Sequence, residues 1–177
     1  MNYAEIKPVD IANGPGVRVS LFVSGCRHHC KGCFNEIAWD FNYGKEFTED
    51  TINELLDLLK KPYIKGFTFL GGEPLDPRNV MCVGYMISHI RRCEETKDKS
   101  IWVYTGYTLE YLGGIANYDE AGCLPYILRH IDVLVDGPFV EDKKNLMLRF
   151  RGSENQRIID MKKTIENHEV TLWDDKK

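Results

Sequence analysis

The sequence predicts an α/β fold: an open, partial (β/α) barrel of about five to six mostly parallel strands. Three observations support this. Short β-branched or aromatic-rich runs ending at glycine alternate with amphipathic helical patterns, which favours parallel strands joined by crossover helices. The 177 residues fall short of the roughly 250 that a closed eight-unit barrel takes. Finally, the glycine-rich and polar clusters follow the strands, at the edge where open α/β sheets bind ligands.

The elements follow in order. "VRVSLFVSG" (17–25) alternates, with Val17, Val19, Leu21 and Val23 on one face. The stretch before it, Asn13-Gly14-Pro15-Gly16, reads as a turn leading into this strand, near a partner-docking surface. "TEDTINELLDLLKK" (48–61) has Thr48 as a helix N-cap, acidic residues in its first turn, and Ile52, Leu55, Leu56 and Leu59 as its apolar face. "GFTFLGG" (66–72) is the next strand. A helix over 76–95 would start at Asp76-Pro77 and bury Val80, Val83, Ile87 and Ile90. Strands at 100–106, 131–137 and 146–152 and short helices at 108–115 and 121–130 complete the pattern, with a last helix over 155–166. No repeat or linker divides the chain, so residues 1–177 read as one domain with a core over about 5–160. The tail, about 168–177, reads as a mobile end with Trp173 docked.

Composition bounds the function. A net charge of −4 argues against nucleic acid as the main partner, although it leaves room for a local basic patch. No apolar run is long enough to span a membrane and no signal-peptide core precedes the first strand, so a cytoplasmic, reducing setting is expected. There, clustered cysteines point to metal or catalysis. Cys26, Cys30 and Cys33 fall within "SGCRHHCKGCFN"; Cys82, Cys93 and Cys123 are scattered and read as small buried hydrophobes. Structural zinc would need a fourth ligand from His28 or His29, and three cysteines in one loop staple little chain together. A redox dithiol at "CKGC" leaves Cys26 unused. An iron–sulfur cubane has four irons, so three thiolates leave one corner open for a ligand. His28 and His29 read as loop-surface residues. "GGEPL" (71–75) is either an ordinary glycine turn before a helix or a backbone built for close approach to a ligand. Thr105 and Asp136 stand at strand ends facing the same side, although Asp136-Gly137 is a turn signal in its own right.

C-x3-C-x2-C after one strand, with GGEP after the next, resembles the radical S-adenosylmethionine superfamily. The resemblance implies one 4Fe-4S cluster held by Cys26, Cys30 and Cys33, with the amino and carboxylate groups of S-adenosylmethionine on the open iron. It also implies cofactor contacts at Gly32, Cys33, Phe34, Gly71, Gly72 and Glu73, with the Glu73 carboxylate and strand-end backbone taking the ammonium group. Thr105 and Asp136 would hold the carboxylate or ribose of S-adenosylmethionine, directly or through a monovalent cation. One departure stands out: many members carry an aromatic residue just before the third cysteine, where this chain has Gly32, with Phe34 following instead.

From about residue 5 to 160, "VDIANGPGVRVSLFVSGC", "IWVYTGYTLE", "IDVLVDGPFV" and "RFRGSENQRIID" resemble the activating enzymes of anaerobic ribonucleoside-triphosphate reductase. This implies a radical S-adenosylmethionine oxidoreductase. Reductive cleavage of S-adenosylmethionine would give a 5′-deoxyadenosyl radical that takes hydrogen from a glycine of the reductase, leaving a glycyl radical. A low-potential donor such as flavodoxin would supply the electron; neither nucleic acid nor membrane is implied. Arg149, Arg151, Asn155, Gln156 and Arg157 would grip S-adenosylmethionine or the incoming glycyl loop, or else form a solvated face. The alternatives are an activase of the pyruvate formate-lyase type, a structural zinc-binding interaction module, and a redox adaptor that only passes electrons.

Overall fold

The computed structural model describes residues 1–116, 119 and 121–174. A single seven-stranded sheet has the order β3-β1-β2-β4-β5-β6-β7. The strands are β1 (Asn2–Asp10), β2 (Val17–Val23), β3 (Lys45–Glu46), β4 (Ile64–Gly71), β5 (Ser100–Tyr104), β6 (Val133–Asp136) and β7 (Arg157–Asp160). The helices are α1 (Glu49–Leu59), α2 (Val80–Arg92), α3 (Leu109–Ala116), α4 (Cys123–His130) and α5 (Met161–Asn167). The strands β2, β4, β5 and β6 pair in parallel, as the alternation predicts. Antiparallel pairings of β1 with β2 and β3, and of β6 with β7, extend this block on both sides. The sheet is therefore mixed and open, with edges at β3 and β7, and its strands outnumber the expected five or six.

One sheet face packs the helices. Val19, Leu21, Phe67, Phe69, Ile101, Val103 and Leu134 alternate onto it and bury Leu55, Leu59, Met86, Ile87 and Ile127. The other face carries Trp102, Val133 and Val135, against which Phe150 and Trp173 pack. Trp173 lies edge-on to Trp102, 5.2 Å between centroids, so the tail docks there as expected; residues 175–177 of that tail lie outside the described residues. Arg18 is also on this face and fully buried. Its guanidinium ties three strands together through Thr68 Oγ1 (2.7 Å), the Phe67 carbonyl (2.8 Å) and the Ser100 carbonyl (3.0 Å). Burial lowers its pKa to about 10.

Helix α1 starts as the sequence predicts, with Thr48 Oγ1 accepting from the Thr51 amide at 3.4 Å. Several other expectations need correction. The helix expected from Asp76 starts at Val80, because Asp76 accepts from the Arg78 amide and bends 76–79 into a turn. Residues 146–152 form no strand: Phe150 has φ 56°, and Leu146 and Met147 are 87% and 88% exposed. Within 155–166, the β-branched pair Ile158-Ile159 joins β7, and Asp160 then caps α5 through the Lys163 amide. Cys82, Cys93 and Cys123 are half-exposed rather than buried.

Candidate functional site

The carboxyl ends of β2, β4, β5 and β6 surround a cleft of about 530 Å³, within the range of small-molecule sites. Cys26, Cys30 and Cys33 line it together with Gly71, Gly72 and Glu73. A second groove, between α1, α2 and α4, lies away from these motifs and is lined by Phe47, Met81, Tyr85 and Tyr126.

The cysteine loop leaves β2 at Ser24 and is stitched to its surroundings through its backbone. The Gly25 and Cys26 amides donate to the Ala38 and Trp39 carbonyls at 2.8 and 3.1 Å. From the other side, the Gly72 amide donates to the Val23 carbonyl (2.7 Å) and the Glu73 amide to the Gly25 carbonyl (2.8 Å). The GGEP turn is thus hydrogen-bonded to the loop that carries the cysteines. Gly72 is needed for this contact, since a Cβ there would stand 2.6 Å from the Gly25 carbonyl oxygen. Asn79, fully buried, completes the junction by donating to the Ser24 carbonyl (2.9 Å) and the Glu73 carbonyl (3.0 Å).

The three cysteines are free thiols. Burial pushes the Cys26 thiol up to about 11, against the pull of the His28 and His29 backbone amides, and raises Cys30 as well. Metal binding at these positions therefore has to release protons. The Asn35 amide donates to Cys33 Sγ at 3.4 Å. Among the described residues no three His, Cys, Asp or Glu side chains converge on one ion-sized point; the thiols stand around the cleft instead. Three thiols lining one cleft of this size suit the footprint of a cluster, and the half-buried walls would give it a partly dry setting. The residues present fit such a group.

The remaining expected residues divide into two sets. Gly32, Phe34 and Thr105 line the cleft. Gly32 has φ 72° and packs on Glu141, where a Cβ would meet the carboxylate at 2.8 Å; Phe34 is 85% exposed at the rim. Thr105 Oγ1 accepts from the Tyr107 amide at 3.1 Å, leaving its hydroxyl hydrogen available. Asp136 is buried, with its carboxylate occupied by the Leu109 amide and by Arg157. Arg157 also takes Glu110 in a bidentate pair at 2.9 and 2.8 Å. These bonds join β6 and β7 to the start of α3, and neither residue lines the cleft.

Gln156 folds the 137–156 segment onto itself, accepting from the Gly152 and Ser153 amides and donating to the Gly137 carbonyl. Arg151 donates to the Gln156 carbonyl, and Asn155 to the Pro138 carbonyl. Arg149 is exposed over the Phe150 ring. Arg151 and Gln156 thereby become part of the cleft wall.

His28 corrects the expectation of a surface residue. Its side chain is 18% exposed, and Nε2 lies 2.8 Å from Glu73 Oε2. The available signal was a histidine two residues from a cysteine, in a chain with one carboxylate at the neighbouring strand end. Asn79 was missed because a buried asparagine before a helix looks like an ordinary cap.

A family model described as a 4Fe-4S single cluster domain matches residues 12–159. The anaerobic ribonucleoside-triphosphate reductase-activating protein of Vibrio cholerae is 41% identical over 160 residues, 89% of this chain and 97% of that protein. The chain belongs to the family of anaerobic ribonucleoside-triphosphate reductase-activating proteins. The Escherichia coli K12 member is 42% identical over 158 residues, covering 88% of this chain and 96% of its own. That of Enterobacteria phage T4 is 39% identical over 160 residues, covering 89% and 93%. As in the sequence reading, the described residues contain no helix long and apolar enough to cross a membrane.

Proposed function

We propose that this chain, acting as one domain, activates an anaerobic ribonucleoside-triphosphate reductase by installing a glycyl radical on it. The observation that carries this is the convergence of Cys26, Cys30, Cys33 and the GGEP strand end on one cleft, in a chain of the activating-protein family. When bound, a 4Fe-4S cluster and S-adenosylmethionine would supply electron transfer, cleavage to a 5′-deoxyadenosyl radical and hydrogen abstraction from the reductase glycine.

The protein's own work is holding and insulating. Cys26, Cys30 and Cys33 would ligate three irons and leave one open. The junction of Gly72, Asn79 and the loop backbone fixes those thiols relative to Glu73. Glu73 is the carboxylate for the S-adenosylmethionine ammonium group, and Thr105 Oγ1–H is a donor facing the cleft. Gly32 presents backbone where an aromatic side chain was expected, so adenine would lie against the 32–34 backbone with Phe34 at the rim. Asp136 and Arg157 hold β6, β7 and α3 together and so support the wall beside the cleft. Arg149, Arg151 and the exposed Leu146 and Met147 form the rim a reductase loop would meet. No side chain is needed as a general acid or base.

The test is electron paramagnetic resonance after anaerobic reconstitution, reduction, and addition of S-adenosylmethionine and the reductase. A glycyl doublet, with 5′-deoxyadenosine formed in step, supports the assignment. S-adenosylmethionine cleavage with no doublet rejects the partner. Zinc with no acid-labile sulfide after oxygen-free purification rejects the cluster.

A further inference from the structure

His28 lines the cleft and has no role in the reading so far. His28 sits between Cys26 and Cys30 in sequence, and its ring is held on three sides. Nε2 meets Glu73 Oε2 at 2.8 Å. Its edge faces the Tyr107 ring, 4.4 Å between centroids at 65°, and Tyr107 in turn stacks on Tyr111. Its flank rests on Gly106, where a Cβ would stand 2.5 Å from the imidazole Cδ2; glycine at 106 is the seat for this ring.

The hydrogen-bond ledger of Glu73 shows what the contact does. A carboxylate has about four acceptor positions. On Glu73, Oε1 accepts from the Leu75 amide at 2.9 Å, and Oε2 accepts from the Gly106 amide at 2.8 Å and from His28. Because the carboxylate only accepts, the imidazole Nε2 carries the hydrogen. Three positions are filled by the protein, which leaves one, on Oε1. An ammonium group reaching Glu73 meets a carboxylate whose rotation is already fixed, with a single acceptor direction open. Without the imidazole, Oε2 keeps only the Gly106 amide, and the space beside Gly106 admits water.

We propose that His28 is a positioning residue: it aims the Glu73 carboxylate at the ligand ammonium group and couples that aim to the cysteine loop. This rests on the reading that Glu73 receives the ammonium of S-adenosylmethionine. His28 binds neither iron nor substrate itself. His28 lies between two of the cysteines in sequence, so its bond adds a side-chain tie to the backbone junction that already joins the cysteine loop to Glu73.

The test uses the full chain, reconstituted without oxygen, as wild type, His28→Ala and His28→Gln. Iron and sulfide per chain, the dissociation constant for S-adenosylmethionine by equilibrium dialysis, and the spectrum of the reduced cluster with and without S-adenosylmethionine are recorded. His28→Ala is expected to keep its cluster and bind S-adenosylmethionine about 10- to 100-fold more weakly, the usual effect of losing an outer-shell hydrogen bond. Its cluster spectrum should respond to S-adenosylmethionine only at correspondingly higher concentration. His28→Gln keeps an amide donor for Oε2 and should recover affinity to within a few-fold of wild type. Wild-type affinity in a cluster-loaded His28→Ala protein overturns the proposal, as does His28→Gln binding as weakly as His28→Ala. Where His28→Ala takes up no cluster, His28→Gln decides: cluster and near-wild-type affinity uphold the donor role, and loss of either overturns it. A wild-type protein that holds its cluster but binds no S-adenosylmethionine would refute the functional reading itself, a separate result.

Discussion

Asn79 offers the sharpest test of how the site is held. Its side-chain amide donates to the Ser24 carbonyl at the root of the cysteine loop and to the Glu73 carbonyl in the GGEP turn. Asn79→Ala removes both bonds in a fully buried place. The Glu73 carbonyl keeps the Asp76 amide at 3.2 Å, whereas among the described residues the Ser24 carbonyl has no other recorded donor. An orphaned buried acceptor costs about 1–3 kcal/mol and a lost bond at a still-paired acceptor about 1 kcal/mol. The sum is about 2–4 kcal/mol, or a fall in Tm of about 4–16 °C for a chain of this size. Asn79→Asp should be worse, because it sets a charged acceptor against two carbonyls. The assay is denaturant and thermal unfolding of the reduced apo protein, followed by cluster uptake. An Asn79→Ala protein within 0.5 kcal/mol of wild type, a limit taken from ordinary surface substitutions, would refute this reasoning.

Three further outcomes follow from the same structure. Replacing Cys26, Cys30 or Cys33 by Ala should lower iron and sulfide per chain sharply, whereas Cys82→Ser, Cys93→Ser and Cys123→Ser should leave both unchanged. Gly72→Ala drives a Cβ to 2.6 Å from the Gly25 carbonyl and should destabilise by about 1–3 kcal/mol, while Gly113→Ala, with open space on α3, should stabilise by about 0.5–1 kcal/mol; urea unfolding compares them. The Arg157 pair holds the Glu110 carboxyl near 2, below its ordinary value, so its contribution is present above about pH 4.5 and lost as pH falls toward 2. Glu110→Gln should flatten that part of the stability profile of the apo protein, only modestly because Glu110 is 59% exposed, and less at high salt.

The parallel block was legible because each of its strands is a short β-branched or aromatic run closed by glycine, and α1 because Thr48 is a strong cap. The flanking strands were not. β1 reads as an irregular mix of polar and apolar residues, since β3, only two residues long, covers just its start and leaves the rest flanked on one side by β2. Residues 146–152 have strand-like composition but join no sheet: Leu146 and Met147 stand in solvent at a rim, while Phe150 alone turns in to pack on Trp102. Within the site, the cysteines and GGEP were legible because each is a compact local motif at a strand end, and the fold brings both to one cleft. Asp136 and Arg157 carried the same polar signal, and the structure pairs them with each other through a contact 21 residues apart in sequence, which spacing does not encode. His28 was misplaced for the same reason, its partner Glu73 lying 45 residues away.

The central claim is that three thiolates leave one iron open and that S-adenosylmethionine closes it through its amino and carboxylate groups. Electron–nuclear double resonance on the reduced, reconstituted protein with S-adenosylmethionine labelled with nitrogen-15 at the amino group tests this directly. A nitrogen-15 hyperfine coupling to the cluster is predicted, lost when unlabelled ligand is exchanged in. No coupling from a protein that holds its cluster and has S-adenosylmethionine bound would contradict the account.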